Sequence, residues 1–114
     1  QKDGKLWATI GSSGGRRIAT GLAQSLINVI DFEKSLQEGI QAPRIHVETD
    51  DVLIDGRLGD STRIALESMG HKVRVATPDY VSAQFSTPNG IRKTDAGLVS
   101  GIYPVNKQGT AAGI

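Results

Sequence analysis

Cysteine is absent, and only five of the 114 residues are aromatic: one Trp, two Tyr and two Phe. The first absence excludes disulfides, thiolate zinc sites and a cysteine nucleophile, and it fits a reducing or an oxidising compartment equally. The second leaves a small domain with few of the large side chains that dominate core burial, so the chain is expected to pack against something else. Apolar residues make up 38%, below the roughly 45–50% of globular domains, a range that also counts glycine. No apolar run approaches the roughly 20 residues of a membrane-spanning helix, and no stretch reads as a signal peptide. Charge of one sign is lacking too: 13 basic and 12 acidic residues leave a net charge of +1. The basic residues are scattered, and the pairs Arg16-Arg17 and Arg92-Lys93 read as solvated, so there is no electrostatic footprint for nucleic acid. The chain opens on Gln1, and the expectation is a piece processed, cleaved or trimmed from something longer.

Glycine is plentiful, with fourteen in all. Three of them fall in GSSGG (11–15), between the strand-like KLWATI (5–10) and the apolar-periodic IATGLAQSLINVI (18–30). Glycine permits positive φ and brings bare backbone N–H groups close to a ligand. A helix starting just beyond adds unpaired N–H donors and the positive end of its dipole. The residues alone allow a phosphate cradle, an oxyanion hole for acyl transfer, or a tight turn with no ligand.

The rest of the chain reads as a mixed α+β arrangement. Lys2-Asp3-Gly4 predicts a hairpin turn. Ile18, Leu22, Ser25, Leu26, Val29 and Ile30 predict an amphipathic helix of about four turns, in which Gly21 marks close packing. Ser35 predicts the N-cap of a short helix over 35–40, broken at Ala42-Pro43. Strands are expected at 44–49, 51–55 and 71–76. A helix is expected over 60–70, with Asp60 or Ser61 as cap, Ile64, Ala65, Leu66 and Met69 as its apolar side, and Gly70 at C′. Further strands are expected at 81–86 and 89–105, with Asn89-Gly90 as a turn. No internal repeat or long linker is visible, and residues 1–114 read as one unit.

Several chemistries fail on spacing. His46 and His71 lie on strand-like segments without metal-ligand spacing and read as structural. Glu48, Asp50, Asp51 and Asp55 lack the register of a calcium loop and read as a solvated acidic stretch. GSSGG is not Gly-x-Gly-x-x-Gly and does not end in Gly-Lys-Ser/Thr. Ser13, between Gly11 and Gly14, does not match the Gly-x-Ser-x-Gly elbow. No triad can be assembled, so the chain reads as part of an active site.

GSSGGRRI (11–18), LINVIDFEKSLQEGIQAPRIH (26–46) and LESMGHKV (66–73), in that order, resemble the γ-glutamyltranspeptidase family. The corresponding segments there run Gly-Ser-Pro-Gly-Gly-x-x-Ile, Asn-Val-Ile-Asp-[Phe/Tyr], Leu-x-x-Ala-[Val/Ile]-x-x-Pro-Arg-[Ile/Phe]-His and Gly-His-x-Val. The match covers most of residues 5–76, and the tail GTAAGI follows more loosely. The resemblance implies an N-terminal-nucleophile hydrolase with a four-layer αββα sandwich, incomplete in this chain. It implies a precursor that cuts itself in two, and a freed N-terminal Thr that attacks a γ-glutamyl amide and passes the acyl group to water or an amine. It places Gly14 and Gly15 as oxyanion-hole donors, with Ser12 and Ser13 beside them as substrate contacts. It implies no metal and no cofactor.

The family's Thr-Thr-His nucleophile motif and its Ser-Ser-Met stretch do not occur in these residues, and both are expected upstream of residue 1. The expected partners are therefore the large subunit and the N-terminal part of the small subunit of the same precursor. A γ-glutamyl small molecule is the expected substrate, and no nucleic acid or membrane contact is expected from this chain. The implied location is periplasmic or extracellular. Ser13 stands where Pro is usual, and GIYPVNKQG (101–109) stands where many members carry a Gly-Ala-x-Asp-Pro-Arg-like stretch. Arg44, in Pro-Arg-x-His, is expected to pair with a carboxylate from another part of the protein. Two alternatives remain open: a related acylase acting on a glutaryl, cephalosporin-type or poly-γ-glutamate substrate, and a non-catalytic anion-binding module.

Overall fold

The computed structural model describes residues 1–76 and 84–103. The chain opens on a tight turn in which Lys2 and Lys5 exchange backbone hydrogen bonds at 3.0 Å. Asp3 and Gly4 both take positive φ there, as a two-residue hairpin loop that matches strand twist requires. Strand β1 (Ala8–Ser13) leads through a 3-10 turn (Gly15–Arg17) into α1 (Ile18–Ile30), followed by α2 (Leu36–Gln41). Strands β2 (Ile45–Val47) and β3 (Asp51–Asp55), a second 3-10 turn (Gly56–Leu58), α3 (Gly59–Ser68) and β4 (Lys72–Ala76) come next. Strands β5 (Thr87–Thr94) and β6 (Gly97–Ile102) close the described chain.

Two three-stranded sheets result, ordered β1-β5-β6 and β2-β3-β4. The first is antiparallel throughout, with β1 and β5 in register from Ala8↔Arg92 to Ser13↔Thr87. In the second, β3 runs antiparallel to β2 and parallel to β4. The parallel pair needs a crossover, and α3 supplies it. The arrangement is the expected α+β mixture.

Helices α1 and α2 pack on each other and on one face of the first sheet. The core there is Val29, Leu36, Ile40, Phe85 and Tyr103, with Trp7 and Ile10 against it. The predicted inward side of α1 holds except at its last residue. Gly21, Ser25 and Val29 face inward, while Ile30 is exposed. Glycine is needed where neighbouring side chains already fill the space: a Cβ on Gly21 would collide with Ser86 Oγ, and one on Gly39 of α2 with Val29. Ser35 caps α2 as expected. Its hydroxyl accepts from Glu38 N while the Glu38 carboxylate accepts from Ser35 N at 2.9 Å, a reciprocal capping box.

Three local expectations are corrected. Asn89-Gly90 is not a turn but lies inside β5, and the reversal falls at Asp95-Ala96 instead. Glycine is needed at 90 because a Cβ would sit 2.6 Å from Thr9 O of the neighbouring strand. The α3 cap is neither Asp60 nor Ser61, since both are already helical. The capping carboxylate sits one turn earlier: Asp55 accepts from Arg57 N and opens the 3-10 turn that runs into the helix. Gly11–Ser13 extend β1 and are not loop, whereas Gln84–Ser86 are not strand; the rest of the expected 81–86 strand lies outside the described residues.

The C-terminus of α3 behaves as predicted. Gly70 takes φ +91°, its N–H donates to Glu67 O and that of His71 to Leu66 O, a Schellman pair. The expected apolar side of α3 is uncovered, with Ile64 56% and Met69 72% exposed.

Candidate functional site

The site is the junction of β1 and α1. Strand β1 ends at Ser13, paired with Thr87 on the central strand β5. The chain turns through Gly14 at φ 135° and Gly15 at φ 60°, conformations that side-chain-bearing residues rarely adopt. Gly14 is fixed twice over, because a Cβ there would stand 2.8 Å from Ser86 Cα. The first helical hydrogen bond runs from Arg17 N to Gly14 O at 3.3 Å. The N–H groups of Gly14 and Gly15 therefore precede it and are not used by the helix. Two consecutive donors thus stand at the positive end of α1. The helix proper starts at Ile18, one 3-10 turn after the glycines.

Ser13 Oγ lies 2.6 Å from Thr87 Oγ1, and Ser12 Oγ donates to Ser13 O at 3.1 Å. Both predicted serines border the glycines, and the Ser13–Thr87 pair puts two hydroxyls side by side at the end of the sheet.

A polar network that sequence reading missed lies behind the turn. Arg16 Nη1 donates to Glu48 Oε1 at 3.1 Å, and Arg17 Nε lies 4.0 Å from Glu48 Oε2. Glu48 Oε2 also contacts His46 Nε2 at 3.3 Å, and His46 Nδ1 contacts Thr20 Oγ1 at 2.8 Å. The His46 hydrogen bond holds the Glu48 carboxyl below the usual carboxylate range, aided by Arg16 and opposed by burial. Glu48 read as part of a solvated acidic stretch because it is 32 residues from Arg16. Only the β2–β3 pairing brings it there.

Arg44 is fully buried, as a structural role demands. Among the described residues it binds no carboxylate. Its Nη1 donates to Ser86 O at 3.1 Å and its guanidinium stacks 4.3 Å from the Tyr103 ring centre, a cation–π contact. The nearby carboxylate of Asp55 is taken by Arg57, whose Nε donates to both its oxygens at 3.0 and 3.1 Å. Burial pushes the Asp55 carboxyl up, but the Arg57 hydrogen bonds and charge outweigh it and leave the pKa low. His71 contributes its backbone to the α3 cap.

The γ-glutamyltranspeptidase family model matches residues 1–114, the whole chain. The chain belongs to the γ-glutamyltranspeptidase family. It is 38% identical over 74 residues to the glutathione hydrolase proenzyme of Escherichia coli K12, a stretch covering 63% of this chain and 13% of that protein. It is 36% identical over 72 residues to the acylase ACY 1 proenzyme of Pseudomonas sp. strain V22, with the same coverage. The γ-glutamyltranspeptidase of Pseudomonas nitroreducens, solved with L-DON, superposes with a TM-score of 0.78 at 25% identity, over all of this chain and 57% of that one. The chain thus spans just over half of the solved chain it matches and about an eighth of the curated precursors. Its mixed layers are part of the γ-glutamyltranspeptidase sandwich, with helices α1 and α2 on one face of the sheet β1-β5-β6. No helix among the described residues is long and apolar enough to cross a membrane.

Proposed function

We propose that this chain is the C-terminal part of the small subunit of a γ-glutamyl hydrolase or transferase acting on glutathione and related γ-glutamyl compounds. Its role is to supply the oxyanion hole. The observation that carries this reading is the pair of backbone donors at Gly14 and Gly15, held at positive φ ahead of α1 in a chain of this family. A Thr contributed by the rest of the precursor attacks the γ-glutamyl carbonyl. The carbonyl oxygen gains negative charge as the tetrahedral intermediate forms, and the two N–H groups receive it. Donors already aimed at that position need no reorganisation during the reaction, and each is worth about 3–4 kcal/mol of transition-state stabilisation. Collapse expels the amine and leaves an acyl-enzyme, which water or an acceptor amine resolves. Ser12 and Ser13 are assigned to substrate contact beside the donors.

The proenzyme names of the relatives support association with the remainder of the same precursor, and a periplasmic or extracellular location goes with that reading. The acylase likeness, nearly as strong as that to the glutathione hydrolase, keeps a side-chain acylase as the second reading. The acyl pocket that separates the two lies in the partner segments.

The deciding experiment compares Gly15→Ala with Gly15→Pro in the assembled enzyme, using γ-glutamyl-p-nitroanilide. Nothing lies within 4 Å of a Cβ at Gly15, so Ala keeps the donor at the modest cost of its positive φ. Pro removes it. A drop in kcat of about a hundredfold or more for Pro alone, with assembly intact by intact-mass analysis, supports the reading. Equal activity in the two variants overturns it. Turnover of glutaryl-7-aminocephalosporanic acid in place of the γ-glutamyl anilide assigns the acylase.

A further inference from the structure

The hydrogen bonds behind Gly14 and Gly15 form a closed ring. Arg16 side chain joins Glu48 at 3.1 Å, Glu48 joins His46 Nε2 at 3.3 Å, and His46 Nδ1 joins Thr20 Oγ1 at 2.8 Å. Thr20 Oγ1 returns to the backbone at Arg17 O, 3.2 Å away. The ring grips the Gly15–Arg17 turn from two sides, by the Arg16 side chain and by the Arg17 carbonyl. Its far end is anchored in β2, whose residue His46 is buried and pairs with Leu53 of β3. A second tie from the same helix runs beside it: Gln24 receives Ile45 N–H at 2.9 Å and donates to Ile45 O at 2.8 Å. The start of α1 is thereby locked to the second sheet one residue after the glycines.

We infer that His46, with Glu48 and Thr20, is a positioning residue that sets the direction of the Gly14 and Gly15 N–H groups. The inference rests on the oxyanion-hole reading and adds to it the device that fixes the donors. None of the three touches the reacting atoms; they act through the turn. Their order of importance follows from burial and hydrogen count. The Arg16–Glu48 arm is the weakest, since the Arg16 side chain is 83% exposed and exposed pairs contribute little. The Thr20–His46 arm is more buried and holds the backbone directly. Thr20 has one hydroxyl hydrogen. When it is given to Arg17 O, His46 must donate from Nδ1, and the Glu48 bond then requires a second hydrogen on Nε2. With its hydrogen on Nε2 the imidazole keeps both of its own bonds, donating to Glu48 and accepting from Thr20, and Thr20 then gives up Arg17 O. With it on Nδ1, Thr20 keeps Arg17 O and the Glu48 bond is lost.

The test uses the assembled enzyme and γ-glutamyl-p-nitroanilide, with kcat and KM measured separately and assembly checked by thermal melting. His46→Ala is expected to lower kcat about tenfold, the scale of a small misplacement of a reacting geometry, with KM within about twofold. Glu48→Ala should lose less. His46→Asn, whose amide nitrogen replaces Nδ1, should recover more kcat than His46→Gln, whose amide replaces Nε2. If His46→Ala fails to assemble, Thr20→Val and Glu48→Ala carry the comparison. Full kcat in His46→Ala and Glu48→Ala, alongside loss in Gly15→Pro, overturns the positioning role alone. A raised KM with unchanged kcat also overturns it, because the ring would then be contacting substrate. Activity that survives Gly15→Pro overturns the oxyanion-hole reading itself.

Discussion

The two sheets of this chain are finished to different degrees. On β1-β5-β6, two helices cover one face, and Leu36, Ile40 and Tyr103 are removed from solvent. Around β2-β3-β4, the central strand β3 is buried from Val52 to Asp55, but the crossover helix α3 has no buried residue. Its apolar side chains lie open, and its visible support is polar: Arg63 bridges Asp60 at 3.1 Å and Glu67 at 2.8 Å. Helix α1 is bound by side-chain volume, or by its absence at Gly21. Helix α3 is bound by its caps and by connection to the strands beside it. The same chain therefore holds one helix layer that is packed and one whose apolar side chains stand open.

That contrast can be broken at its strong side first. Ile40→Ala should destabilise the first layer by about 3 kcal/mol, the usual cost of a cavity at a closed site, measured by urea unfolding. Gly39→Ala should cost about 2 kcal/mol by overpacking against Val29, although alanine favours helix by about 1 kcal/mol; a stabilised variant would show that the two helices are free to separate. In the second region, Asp55→Asn should cost about 2 kcal/mol, less than a wholly buried pair because Arg57 is partly exposed.

The Asp55 pair also sets a pH dependence. The folded carboxyl titrates below its ordinary value of 3.8, so its stabilisation is complete above that value and is lost as pH falls through the lower folded pKa. Urea midpoints measured from pH 6 to pH 2 should fall at the acid end in the parent and fall less in Asp55→Asn. Ser35→Ala should remove about 1 kcal/mol with the capping box. The smallest effect is expected from Ile64→Ser, within about 0.5 kcal/mol for an exposed site in this chain alone. A much larger loss in the assembled precursor would show that α3 is covered there.

What the sequence made legible was whatever depends on neighbours along the chain. The Ser35 cap, the Gly70 terminus, the Asp3-Gly4 turn and the glycine pair at 14–15 all satisfy backbone groups within a few residues, and their chemistry can be read in order. Long-range matters were hidden. Asn89-Gly90 has the composition of a turn but the duty of a close strand crossing, which only the position of Thr9 reveals. The inward side of α1 was legible from its spacing, but not that its deepest positions are Gly21 and Ser25, where neighbours leave no room for a larger side chain. Glu48 acquires meaning from partners that the fold brings to it from far along the chain. Of the candidate site, the donors were visible and their scaffolding was not.

The strand position of Asn89-Gly90 bears on how this protein ages. Asparagine followed by glycine loses its amide when the glycine nitrogen swings round to attack the side-chain carbonyl, a closure that needs a bent and mobile backbone. Here Gly90 is held in the central strand, between Ile10 on one side and Gly101 on the other. Ammonia can be lost there only when the sheet opens. Aspartate or isoaspartate formed at position 89 would therefore report the opening of the very sheet on which Gly14 and Gly15 are mounted.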